Sequence, residues 1–222
     1  MATYQIHINE RQMFGKSLVT MLKSIPDLVS FEPIVAKAYN NMGNAYYQQE
    51  NYTQAIKCYQ KGVEIDPNDA KAYYNMGNAY RQQENYAQAI KCYQEAIEID
   101  PNDAAAYYSM GYTYARQENY TQAIKCYQKA IEIKPDFAWV YNSMGYAYAG
   151  MKKYGEAIAN IKKAIEIAIA DEDKAVANFY DSMGEIYFMQ GNETEAVKWY
   201  RKAASMGLKN AQKWLRDNGY KW

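Results

Sequence analysis

Histidine is nearly absent from this chain of 222 residues, with His7 the only one. A single imidazole, in a stretch that reads as a strand, leaves no second histidine for a metal site or a nucleophile–base arrangement. Cysteine is scarce as well. Cys58, Cys92 and Cys126 recur at a constant step of 34 residues, which is one position copied and not the close spacing of a zinc or redox motif. An odd cysteine count fits a reducing cytoplasm. Met1–Lys16 has no apolar core of the kind a signal peptide needs. No apolar run reaches the roughly 18 residues of a membrane span. Net charge is also missing: Lys+Arg and Asp+Glu are 25 each, which excludes bulk electrostatic attraction to nucleic acid or an anionic membrane. The glycines stand singly, so no phosphate-cradling loop exists. The acid pairs Glu64/Asp66 and Glu98/Asp100 precede prolines and read as solvated turn residues. Nothing here concentrates the groups of an active site, and the expectation is a non-enzyme without cofactor or metal.

What the chain has is repetition. Gly43, Gly77, Gly111 and Gly145 are spaced by 34 residues, as are Ala55, Ala89, Ala123 and Ala157, and Pro67, Pro101 and Pro135. Aligning on the glycines gives five copies, 36–69, 70–103, 104–137, 138–171 and 177–210, with about five residues inserted around Ile169–Asp173 before the last. Numbering each copy from its first residue, position 4 is Tyr39, Tyr73, Tyr107, Tyr141 and Tyr180, and position 11 is Tyr46, Tyr80, Tyr114, Tyr148 and Tyr187. Position 24 is Tyr59, Tyr93, Tyr127, Ile161 and Tyr200. A fixed period of this length marks a solenoid of supersecondary units.

Each copy reads as two helices. Positions 4, 7, 8 and 11 share one helical face, and a second apolar set follows at Ala55, Ile56, Tyr59 and Val63. Between them Asn51 is placed to cap the second helix, with Gln54 completing a capping box, and Pro67 stops that helix. Glycine at position 8 falls mid-helix, where it costs roughly 1 kcal/mol against alanine, so it needs a packing reason.

The aromatic–x2–apolar–Gly–x2–Tyr run, followed by Ala–x3–aromatic and Pro, resembles the tetratricopeptide repeat, over about three quarters of the chain. Copy four departs from the pattern with Ile169 at the closing proline, and copy five with Leu208. The resemblance implies an all-α, right-handed superhelical solenoid of helix-turn-helix units acting as a protein-interaction scaffold. Eighteen of the 25 tyrosines occupy positions 4, 11, 17 or 24, so most of them are architecture.

The two ends differ from the repeats. In residues 1–35, Tyr4, Ile6 and Ile8 alternate as in a short strand, and Phe14, Leu18, Met21, Leu22 and Ile25 mark one face of a helix that Asn9 starts and Pro26 closes. This segment is either a cap on the first repeat or an element that pairs with a partner or a second copy. At the other end Ala203-Ala204, Gly207 and Ala211-Gln212 resemble the Sel1-type variant of the repeat, a bacterial-style feature. Residues 211–222 read as a capping helix, with Ala211, Trp214 and Leu215 as its apolar stripe.

In the resembled family, positions 2, 5, 9, 12 and 13 of the first helices line a concave groove. Copies one and two agree at 28 of 34 positions, yet Asn40/Tyr74 and Tyr47/Arg81, both groove positions, differ. Copies two and three differ at Lys71/Ala105, Asn78/Tyr112, Arg81/Ala115 and Gln82/Arg116, whereas exposed second-helix positions such as Lys57, Lys91 and Lys125 stay fixed. Divergence concentrated in the groove points to selection there. Lys37, Asn40, Asn44, Lys71, Asn78 and Arg81 make the first end polar and basic, suited to acidic residues of a partner. Tyr74, Tyr108, Tyr112, Trp139 and Tyr146, with Arg116, make the middle aromatic, and Asp181 and Glu185 make the far end acidic. Tyr, Trp and Arg dominate binding hot spots. Amides at Asn44, Asn75 and Asn78 offer donor and acceptor to a peptide backbone. Some family members clamp a chaperone's terminal carboxylate with cations around such asparagines. Here those cationic positions are Asn40, Ala105 and Ser109, and no such clamp is expected. The predicted function is therefore a cytoplasmic scaffold that binds an extended or helical peptide segment in its groove. The alternative is a self-assembling oligomer, at its simplest a homodimer, built through residues 1–35 or the repeat faces. An aromatic groove that stacks sugars is the less common third reading.

Overall fold

The computed structural model describes residues 31–222. The strand and helix expected before that point lie outside the described residues. Within them the regular elements are helices. They pair as α1 (Glu32–Gln48) with α2 (Tyr52–Ile65), α3 (Ala70–Gln82) with α4 (Tyr86–Ile99), and α5 (Ala104–Arg116) with α6 (Tyr120–Ile133). Then α7 (Ala138–Gly150) pairs with α8 (Tyr154–Ala170), α9 (Val176–Met189) with α10 (Glu193–Ser205), and α11 (Lys209–Asp217) closes the array. Each first helix packs most extensively on its own second helix. The second helix packs on the next first helix, and successive first helices touch more lightly. This nearest-neighbour stacking is the signature of a solenoid. Among the described residues no helix is long and apolar enough to cross a membrane.

Local chemistry starts and stops these helices. Asn51, Asn85 and Asn119 each accept a hydrogen bond from the backbone N–H three residues on, at 3.3 Å, as does Asn192 at 3.2 Å. The expected return half of the capping box is replaced. The Asn51 N–H instead donates to the Tyr46 carbonyl at 2.9 Å, and the Glu50 N–H to that of Tyr47 at 2.9 Å. This pair of bonds is a Schellman motif, which needs a left-handed residue after the helix. Glu50, Glu84, Glu118 and Lys152 take that conformation at φ 58–61°, and Gly191 takes it in the last repeat at φ 84°. Where Pro67 and Pro101 stand, the second helix ends two residues earlier, at Ile65 and Ile99. Ile169 imposes no such stop, and α8 runs 17 residues to Ala170.

The glycines at position 8 now have their packing reason. A Cβ on Gly43, Gly77 or Gly111 would meet Tyr59, Tyr93 or Tyr127 at 2.5–2.7 Å, and one on Gly145 or Gly184 would meet Ile161 at 2.7 Å or Tyr200 at 2.9 Å. Those three tyrosines are fully buried at the joint of their helix pair. Tyr200 stacks on Trp214 with centroids 4.1 Å apart, and buried Ala211 and Leu215 join the same cluster, so α11 covers the last repeat.

Candidate functional site

The first helices share one face, and a ladder of side-chain bonds runs along it. Between α1 and α3, Asn75 Nδ2 donates to Asn44 Oδ1 at 3.1 Å, and Gln82 Nε2 donates to the Tyr47 hydroxyl at 3.2 Å. Between α3 and α5, Ser109 Oγ donates to the Tyr74 hydroxyl at 3.3 Å. Between α5 and α7, the Tyr108 hydroxyl and Ser143 Oγ lie 3.3 Å apart. Between α7 and α9, the Tyr146 hydroxyl donates to Glu185 Oε2 at 2.6 Å. Tyr74, Tyr108, Tyr146 and Glu185 are thus brought onto one continuous surface.

At its first end, a cavity of about 280 Å³ is lined by Lys37, Asn40, Asn44, Lys71 and Asn75, together with Asp66 and Asp69. The two aspartates offset the two lysines, so this end is of mixed charge where a basic one was expected. Asn40 is buried and donates from Nδ2 to the Asp69 carboxylate, and Asp69 also caps α3 by accepting from Ala72 N at 3.0 Å. Asn40 therefore ties one repeat to the next. The amides do less for a ligand than their chemistry allowed. The Tyr59 hydroxyl donates to Asn44 Oδ1 and the Tyr93 hydroxyl to Asn78 Oδ1, both at 2.8 Å.

The middle is aromatic. Tyr108 sits among Tyr112, Tyr127 and Phe137, with ring centroids at 6.5, 6.0 and 5.3 Å. The Arg81 guanidinium lies over the Tyr112 ring at 5.4 Å from its centroid. Exposed Arg116 stands at the Tyr112 hydroxyl. Trp139 packs edge-on against buried Phe179 at 4.9 Å yet stays 41% exposed. Tyr146 and Trp139 lie on the same side of α7, two turns apart.

The far end is acidic. Asp181 and Glu185 are one turn apart on α9, and no ion pair among the described residues engages either. Burial, aided by the charge of Glu185, pushes the Asp181 carboxyl up to about 6. Burial and then the Glu185 carboxylate also push the Tyr146 hydroxyl up, so it stays a proton donor to Glu185.

Ser109 and Ser143 are rungs of the ladder that were not expected at the groove. A column of small polar residues at position 6 (Asn41, Asn75, Ser109, Ser143 and Ser182) was the available signal. Among the described residues no cluster of His, Cys, Asp or Glu is arranged to hold a metal ion.

A family model described as tetratricopeptide repeat matches residues 34–102, 68–136 and 136–208. Among solved structures, that of MamA protein aligns at 26% identity with a TM-score of 0.67, covering 80% of this chain and 94% of that one. A MamA from Desulfovibrio magneticus RS-1 gives 21% identity and a TM-score of 0.68, over 80% and 96%. YrrB, described as a TPR protein with an unusual peptide-binding site, gives 23% identity and 0.59, over 76% and 84%. No curated protein matches the sequence.

Proposed function

The chain belongs to the tetratricopeptide-repeat family, and from that premise we propose that it is an adaptor that holds an extended or helical segment of another protein against its first-helix face. One observation carries this reading. The polar ladder joins Tyr108 and Tyr146 into a single surface, on which Trp139 keeps 41% of its area exposed despite a buried aromatic beneath it. A large, positioned, half-open aromatic is the kind of group that anchors an interface. Binding energy is centred on Tyr108, Tyr112, Trp139 and Tyr146, with Arg81 and Arg116 set toward acidic parts of the segment, the mixed-charge end around Lys37 and Lys71 toward polar ones, and Asp181 and Glu185 toward basic ones. Affinity capture from the source cell's lysate, comparing wild type with a Tyr112→Ala/Trp139→Ala variant of equal thermal stability, tests it. Loss of a captured protein from the variant alone is the expected result. Equal capture by both contradicts the groove.

We further take Lys202–Trp222 as a Sel1-like terminal unit, supported by Gln212 Nε2 donating back to the Ala204 carbonyl at 3.0 Å across Gly207 at φ 87°. Three buried, unpaired cysteines support a reducing compartment, the cytoplasm. A second reading, self-assembly, has its own observation: Phe31, Ile34, Val35 and Met42 stand exposed at the start of the array. Light scattering over a concentration series separates the two. A mass that grows with concentration selects assembly.

A further inference from the structure

Arg81 ends the groove face of α3, half-buried, and two of its sides are fixed. Its Nε–H donates to the Tyr93 hydroxyl at 3.4 Å, and its guanidinium carbon lies over the Tyr112 ring at 5.4 Å from the centroid. The N–H donors on its two terminal nitrogens have no hydrogen-bond partner among the described residues. Nor does any carboxylate among them come within ion-pair distance: the ion pairs are Lys129–Glu132, Lys163–Glu166, Lys198–Glu195 and Arg216–Asp217, on second helices or the last helix. Arg81, Tyr108, Ser109 and Tyr112 line a cavity of about 180 Å³. Two of its hydroxyls are already engaged with neighbouring helices, Ser109 with Tyr74 and Tyr108 with Ser143. The unsatisfied polar edge in this cavity is therefore cationic, forked and pre-oriented.

We propose that this pocket takes the side-chain carboxylate of an acidic residue in the bound segment. The inference rests on the groove reading above and adds to it the chemistry of one anchor. A guanidinium fork matches a carboxylate in two parallel hydrogen bonds, and prior immobilisation lowers the ordering cost of forming them. The cavity is smaller than the roughly 300–1,000 Å³ of a small-molecule site, as a single side chain requires. It is also unique along the array. The equivalent pair of positions, 12 of one repeat and 9 of the next, is Tyr47 with Asn78, Ala115 with Tyr146, and Ala149 with Glu185. A groove built from near-identical units would let a segment slide by one repeat. One arginine at one junction fixes its register.

The experiment is a display selection of random peptides of about twelve residues against the full chain, followed by fluorescence anisotropy of the strongest binder. Four proteins are compared: wild type, Arg81→Gln, Arg81→Lys, and the groove control Trp139→Ala/Tyr146→Ala, all checked for folding by circular dichroism. Selected peptides should share an Asp or Glu at one position. Arg81→Gln should weaken the best of them about tenfold or more, and Arg81→Lys, which keeps the charge but loses the fork, should weaken it less. Changing the shared Glu to Gln in the peptide should cost affinity for wild type and almost nothing for Arg81→Gln. If that change costs both proteins equally, or if peptides without an acid bind wild type and fail on the groove control, the pocket assignment is overturned while the groove reading stands. If no peptide is selected, or selected peptides ignore the groove control, both are overturned.

Discussion

One edge of the Tyr93 ring lies against the Cα of Gly77, so close that a methyl group there would sit 2.7 Å from Tyr93 Cε1. The relation recurs in four of the five copies, with Ile161 taking the place of the ring against Gly145, and sets how closely the two helices of a unit approach. Helix propensity alone favours Gly77→Ala by roughly 1 kcal/mol. Overpacking a buried ring costs typically about 1–3 kcal/mol. Tyr93 is fully buried and has no room to withdraw, so the steric effect wins. Gly77→Ala is expected to lower stability by up to about 2 kcal/mol net in urea unfolding. A gain would mean that the helices part freely.

The left-handed residue after each first helix gives a second test. Nothing lies within 4 Å of a Cβ built on Gly191, so the cost of Gly191→Ala is set by its φ of 84°. A loss of about 1 kcal/mol is expected. Glu84→Gly, at φ 58°, should move the other way by a smaller amount. Thermal melts of both variants check the pair.

Asp181 makes stability pH-dependent. Burial, with the charge of Glu185, lifts its folded value to about 6 from an ordinary 3.8. The folded state then holds this proton more tightly than the unfolded chain does. Its contribution is full below about 4 and is lost as pH rises through about 6. Asp181→Asn should therefore raise the melting temperature at pH 7.5, with the advantage shrinking toward pH 4. An advantage that is constant with pH would contradict the burial of this carboxyl.

The cysteines should be inert. Burial pushes the Cys92 thiol up to about 12, with Glu95 adding to it, and the Cys126 thiol up to about 11. All three side chains are buried. A disulfide reagent at pH 8 should titrate no fast thiol in the native protein and all three after denaturation. A fast native thiol would reopen the question of thiol chemistry.

Much of this architecture is legible in the residues. The period, the Asn51-type caps, the proline stops and the need for glycine at position 8 are local, and local chemistry dictates them. The longer α8 also follows from Ile169 standing where the pattern has proline. What the sequence does not carry is the offset between units. The contacts of Asn40 with Asp69, of Arg81 with Tyr112 and of Tyr146 with Glu185 join residues 29 to 39 positions apart, and depend on how each pair stacks on the next. Glu50 at φ 58° was hidden for another reason. The turn geometry imposes a left-handed residue, and glutamate does not announce one.

The central claim is that a partner is held on the first-helix face. A photoreactive amino acid placed at Trp139 on that face, and separately at exposed Lys125 on α6, tests it directly in lysate of the source cell. Illumination should give a covalent adduct with another protein from position 139 and none from position 125. Adducts from position 125 alone, or equally from both, would place binding elsewhere and contradict the claim.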